Sequence, residues 1–170
     1  MVNVPLNSEP ILNESESLQT ADSSAQVKRD TSRADAVFSG AMRVLHQHDW
    51  KGLSEVTLAN NRRADILAIN HKGEFLIIEV KSCRGDFASD EKWPEYAEFC
   101  DYFYFAVDQD FPTDLLPAHT GLIICDAFGG AIIREPSLHK LTGPRRKAIT
   151  IKFARLAASR LYQSLTPPMA

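Results

Sequence analysis

Apolar residues recur along this chain in two rhythms, and the switches between them mark its elements. From about Ser32, Val37, Ala41, Val44, Leu45 and His48 return at helical spacing, which predicts an amphipathic first helix. Strand-like stretches follow at 54–58, 63–70 and 74–81, separated by the turn residues Asn60-Asn61 and His71-Lys72-Gly73. Residues 86–99 have a helical pattern but contain Pro94, so two short helices broken before that proline are expected. A buried strand at 102–107, a proline-containing loop at 111–120 and strands at 121–125 and 131–134 around Phe128-Gly129-Gly130 come next. The last element, about 144–163, places Ile149, Phe153, Leu156 and Ala157 on one helical stripe. Ile149, Ile151 and Phe153 also alternate, so its first turn is open to an extended reading. The order α-β-β-β-α-β-β-β-α predicts an α/β sandwich on a mixed sheet.

Residues 1–30 are rich in Ser, Asn, Glu and Gln with little apolar periodicity, and are expected to form a disordered tail. A single domain over 31–165 and a short tail, 166–170, complete the division. Uncharged apolar runs such as Phe75 to Ile78 are far too short to span a bilayer, and no signal-peptide pattern opens the chain, so no membrane association is expected. Three widely spaced cysteines, Cys83, Cys100 and Cys125, point to a reducing compartment. The histidines make no zinc-ligand pattern. A cytoplasmic protein without zinc is the expectation. Formal net charge is −3. Residues 1–30 hold five acids and two bases, which leaves 17 of each in 31–170. From residue 136 onward there are seven Lys and Arg and no acid, so any nucleic-acid surface should include that segment.

The candidate chemistry sits at the end of the third strand. Phe75-Leu76-Ile77-Ile78-Glu79-Val80-Lys81 reads as an interior strand closing on two charges, and alternation puts Glu79 and Lys81 on one face. A three-residue loop at His71-Lys72-Gly73 would pair Asn70 with Glu74 and bring Asp65 opposite Glu79. Two facing carboxylates repel, and a hard divalent cation such as Mg²⁺ relieves the conflict. A two-residue loop would instead pair Asp65 with Ile78 and send Glu79 to the other face. If Ala59-Asn60-Asn61 is the preceding loop, Glu55 falls opposite Asp65 as a third acid; Asn60-Asn61 alone is an equally good two-residue turn.

Asp65 followed, after a hairpin, by Glu79-Val80-Lys81 resembles the PD-(D/E)xK nuclease superfamily, with Ala64 where many members have proline. A longer resemblance runs from about residue 33 to 161. Glu55-Val56-Thr57-Leu58, Arg62-Arg63-Ala64-Asp65, Ile78-Glu79-Val80-Lys81-Ser82 and Lys92-Trp93-Pro94-Glu95-Tyr96 are similar to the MmcB family of DNA repair proteins. So are Phe99-Cys100-Asp101, Tyr104-Phe105-Ala106-Val107 and Arg145-Arg146-Lys147-Ala148. The resemblance implies a restriction-endonuclease-like sandwich, with an α-β-β-β-α-β core plus the basic C-terminal helix, and a role in DNA damage repair.

By that analogy Asp65 and Glu79, with the Val80 carbonyl and Glu55, would hold Mg²⁺ or Mn²⁺, while Lys81 orients a water and offsets charge on the scissile phosphate. Arg62, Arg63, Arg145, Arg146, Lys147, Lys152 and Arg155 would contact the DNA backbone. Ser82, Asp86 and Lys92 would line the site. Each role has a plainer counterpart. Glu79 and Lys81 can be a strand-end ion pair, the basic residues a solvated helix face, and Trp93, Tyr96, Tyr102 and Tyr104 core rather than base-stacking groups. Two functional classes follow: a metal-dependent DNA endonuclease, or a repair accessory that binds DNA or a repair partner without cutting.

Overall fold

The computed structural model describes residues 14–83 and 93–166, with side chains from Thr31 onward. Helix α1 (Glu14–Gln47) leads into β1 (Lys51–Thr57), β2 (Arg63–Ile69) and β3 (Phe75–Lys81). A 3-10 helix (Trp93–Phe99) precedes β4 (Tyr102–Val107), and a 3-10 turn (Thr113–Leu115) precedes β5 (Gly121–Asp126), β6 (Gly129–Arg134) and helix α2 (Gly143–Leu165). The strands form one open sheet in the order β1-β2-β3-β4-β5-β6. β3, β4 and β5 run parallel, and the outer pairings are antiparallel. The chain is therefore an α/β protein with a mixed six-stranded sheet flanked by helices.

Alternation assigns the two faces. Phe75, Ile77, Phe103, Phe105 and Val107 pack with Tyr96, Phe99 and Ile149 under the 3-10 helix and α2. Leu76, Ile78, Tyr104 and Ala106 pack with Val37, Ala41, Val44 and Leu45 of α1. Because both faces are covered, β3 reads as a continuous apolar run rather than an alternating one. Trp93 lies 5.8 Å from Phe103, and Tyr96 stacks on Phe103 at 5.9 Å, so these aromatics are core groups. No helix among the described residues is long and apolar enough to cross a membrane.

Helix α1 begins well before Ser32, in polar sequence that carries no apolar stripe. Its close approach to β5 and β6 requires Gly40, where a Cβ would lie 2.0 Å from the Asp126 carbonyl oxygen. The helix ends with Asp49 at φ 59° and the Trp50 N–H donating to the Leu45 carbonyl at 2.9 Å, a left-handed C-terminal cap. Beside it, burial pushes the Cys125 thiol up to about 12, and it donates to the Val37 carbonyl. The segment after β3 is helical from Trp93; the helix expected ahead of Pro94 lies outside the described residues.

The open reading of the C-terminal segment resolves to helix. Pro144 occupies its first turn, and the Arg146 N–H donates to the Thr142 carbonyl at 2.9 Å. Asp101, 1% exposed, clamps this helix to the sheet. Its Oδ2 accepts from the Phe75 N–H at 2.8 Å and its Oδ1 from the Leu141 N–H at 3.0 Å, while Arg146 adds a bidentate pair at 2.8 and 2.7 Å. Arg146 also donates to the Gly73 carbonyl at 2.6 Å. Burial alone would raise the Asp101 carboxyl, but the Arg146, Leu141 and Phe75 donors together hold it below the usual carboxylate range.

Removing Arg146 leaves a buried, uncompensated carboxylate. Arg146→Ala should therefore cost about 3 kcal/mol or more in urea unfolding at neutral pH. The wild-type contribution, present above the ordinary Asp value of about 3.9, should be lost as pH falls through the lowered folded value.

Candidate active site

Two turns set the site. Gly73 adopts φ 73° in the β2–β3 turn, where its N–H donates to the Asn70 carbonyl at 3.0 Å and the Asn70 N–H to the Glu74 carbonyl at 3.1 Å. The register follows as Ile69↔Phe75, Leu67↔Ile77 and Ile66↔Ile78, that of the three-residue loop. In the β1–β2 turn Asn61 takes φ 63°, Leu58 N–H donates to the Arg62 carbonyl at 2.6 Å, and Val56 pairs with Ala64. Both counts place Glu55, Asp65 and Glu79 in one row across β1, β2 and β3.

The backbone ladder is interrupted along that row. Glu55 and Asp65 do not pair, although their neighbours Ser54↔Ile66 and Val56↔Ala64 do, and Glu55 has φ 50°. The β2–β3 ladder stops at Ile66↔Ile78. Beyond it the side chains take over: the Asp65 N–H donates to Glu79 Oε1 at 3.3 Å, and the Val80 N–H to Asp65 Oδ2 at 2.8 Å. The expectation of a direct Asp65–Glu79 ladder pair is thus corrected to strands that part here and are bridged by their carboxylates. Like charges directly opposite one another destabilise a ladder, which accounts for the break.

Asp65, Glu79, Val80, Lys81 and Glu55 line one open cleft of about 320 Å³, with Ala34, Asp35 and Phe38 of α1 forming its other wall. Glu79 and Lys81 are 4% and 6% exposed, so two opposite charges sit below the surface of the cleft. Desolvation raises the Asp65 carboxyl above its ordinary range. The Val80 N–H and the Lys81 ammonium oppose that rise, and Glu55 adds to it. Arg160 of α2 donates to the Ser54 hydroxyl and the Glu55 carbonyl, each at 3.4 Å, behind the left-handed residue.

The other candidate residues lie elsewhere. Ser82 is buried next to Lys81 and does not line the cleft, while Asp86 and Lys92 lie outside the described residues. Four of the five candidate arginines face acids: Arg62 binds Glu95 bidentately at 2.8 Å, Arg63 pairs with Glu55 at 2.6 Å, Arg145 with Glu98 at 2.5 Å, and Arg146 with Asp101. Lys147, Lys152 and Arg155 have no acidic partner among the described residues. Asp35 is the residue that sequence reading passed over. Its position one turn ahead of Phe38, at the start of the buried stripe, was the available signal. A larger cavity, about 570 Å³ between the β1–β2 turn, Phe99 and α2, is mostly apolar, and its charged residues, Glu98, Arg145 and Lys152, include no pair of carboxylates.

Two measurements follow. Ionised Asp65 is a cost to the folded state above its raised folded pKa, and that cost fades as pH falls through that value toward about 4. Asp65→Asn should therefore raise the urea midpoint at pH 7, with the gain shrinking on acidification; a loss constant with pH would contradict this. At Glu55, Gly should be more stable than Ala by about 1 kcal/mol, the reverse of the order at an ordinary strand position.

The family model for "DNA repair protein MmcB-like" matches residues 21–167. Among solved structures, the SPO1766 protein of unknown function from Silicibacter pomeroyi is 38% identical with a TM-score of 0.75. The match covers 81% of this chain and 96% of that one. No curated protein matches.

Proposed function

The chain belongs to the MmcB-like family of DNA repair proteins, and from that premise we propose that it is a metal-dependent nuclease of PD-(D/E)xK type. On this reading the sheet is a restriction-endonuclease-like one, and the protein hydrolyses DNA phosphodiester bonds during repair. The observation that carries the reading is the Asp65–Glu79 pair, hydrogen-bonded across parted strands with Lys81 in the same cleft.

The donor set fits a hard divalent cation. Asp65 and Glu79 supply carboxylate oxygens, and the raised Asp65 carboxyl is under-compensated by the protein groups around it. Among the described residues no group of three or more His, Cys, Asp or Glu makes a preformed cage. A pair of carboxylates suits Mg²⁺ or Mn²⁺ nonetheless, because Mg²⁺ keeps several waters and completes its shell with substrate phosphate. Asp65 and Glu79, with the Val80 carbonyl and Glu55, would hold the ion. When bound, it would polarise the phosphate and acidify a water.

The chain's own residues do the rest. Lys81, fixed by the end of an interior strand, presents an ammonium to the phosphate and offsets the charge that builds there. Its rigid backbone, paired in parallel with Val107, limits reorganisation as charge develops. Glu55 and Arg63 form an exposed ion pair at the rim, which contributes little to stability and so is free to exchange partners when a phosphate arrives.

A second reading, a repair accessory that does not cut, is favoured by one observation. Four of the five arginines expected to grip DNA face an acid, leaving few uncommitted cations. The test is incubation with duplex, single-stranded and branched DNA, with Mg²⁺ or Mn²⁺. Cleavage by wild type that falls at least 100-fold in Lys81→Ala and Asp65→Asn supports the enzyme. Salt-sensitive binding by all three proteins without cleavage supports the accessory.

A further inference from the structure

Helix α2 has two apolar faces, and the sheet uses only one. Ile149, Phe153 and Leu156 turn inward against the core. On the opposite side Ile151, Ala154, Ala158, Leu161 and Leu165 recur at spacings of three and four, with Tyr162 beside them. Ile151 is 48% exposed, Leu161 60%, Tyr162 68% and Leu165 74%. That is the a/d pattern of a two-helix seam, sustained over about 21 Å of helix axis at 1.5 Å per residue. Isolated exposed leucines need no explanation, but a contiguous stripe in heptad register marks a contact surface.

We infer that the outer face of α2 docks an amphipathic helix of a partner protein, apolar along its seam and rich in Asp and Glu on its flank. The charge on α2 selects that partner. The helix carries Arg145, Arg146, Lys147, Lys152, Arg155 and Arg160 and no acid. Arg145, Arg146 and Arg160 turn toward Glu98, Asp101 and β1, whereas Lys147, Lys152 and Arg155 have no acidic partner among the described residues. On a helical wheel Arg155 falls along one flank of the stripe, with Lys147 at its N-terminal end, whereas Lys152 lines the cavity between α2, Phe99 and the β1–β2 turn. An acidic flank would meet Arg155 and Lys147 at the positions that set partner choice in paired helices. A second copy of α2 would bring like charge to like charge. DNA would satisfy the cations but leave Leu161, Tyr162 and Leu165 unburied.

The surface lies on the helix side of the sheet opposite α1, and none of its stripe residues lines the carboxylate cleft, so it can be tested whether or not the cleft is catalytic. The probe is a labelled 21-residue synthetic helix with Leu at a and d and Glu on both flanks, beside a version with Lys in place of every Glu. Binding to the full chain is read by fluorescence anisotropy at two salt concentrations. The Glu peptide should bind at least tenfold more tightly than the Lys peptide, weaken with salt, and lose at least tenfold with a Leu161→Ser/Leu165→Ser variant. Both substitutions are at exposed positions, and circular dichroism checks that the fold is kept. Equal affinity for the two peptides, or no loss in the variant, would overturn the inference. So would sedimentation showing a wild-type dimer that this variant dissolves, or a tenfold loss of duplex DNA binding in the variant with peptide binding unchanged.

Discussion

The structure turns on a row of three carboxylates crossing β1, β2 and β3. Register places Glu55, Asp65 and Glu79 side by side, and a regular ladder cannot hold them there without opposing like charges. The chain answers in two ways. Glu55 flips to a left-handed backbone conformation and swings to Arg63, and β2 and β3 part after Ile66↔Ile78 so that each carboxylate accepts a backbone N–H from the other strand. The opening so made is the cleft. Everything around it serves to hold the strands that far and no farther apart: the buried run of β3, the Gly73 turn that fixes register, and α1 closing the other wall.

Stability is concentrated at the other end of β3. Asp101 joins the start of that strand, the approach to α2 and Arg146 in one buried network, and none of its atoms reaches the cleft. The separation matters physically. A domain can tolerate an under-compensated Asp65 where the sheet opens because the opposite end is clamped by a fully satisfied carboxylate. Asp65 and Asp101 are the same residue type with opposite displacements, one raised by desolvation and one held down by its donors.

Much of this was legible in the residues. Alternation gave the strands, and turn chemistry offered two- and three-residue loops, of which the structure has the three-residue ones that align the row of acids. The long first helix was not legible, since α1 runs through polar sequence that carries no apolar stripe. Asp35 escaped because its role depends on how α1 crosses the sheet, which Gly40 permits but no periodicity announces. Arg62, Arg63, Arg145 and Arg146 were expected to meet DNA phosphates. Sequence carries no hint that Glu95, Glu98 and Asp101, 33 to 47 residues away, stand opposite Arg62, Arg145 and Arg146. Their pairing leaves Lys147 and Arg155 of α2 beside an apolar stripe that the inward-facing one concealed.

The most direct test of the carboxylate row is a calorimetric titration of Mn²⁺ into the DNA-free protein at neutral pH, for wild type and for Asp65→Asn. A saturable site in wild type that weakens at least tenfold in Asp65→Asn is the result expected of two carboxylates held in one opening. Equal Mn²⁺ binding by both proteins, or none by wild type at millimolar ion, would contradict it.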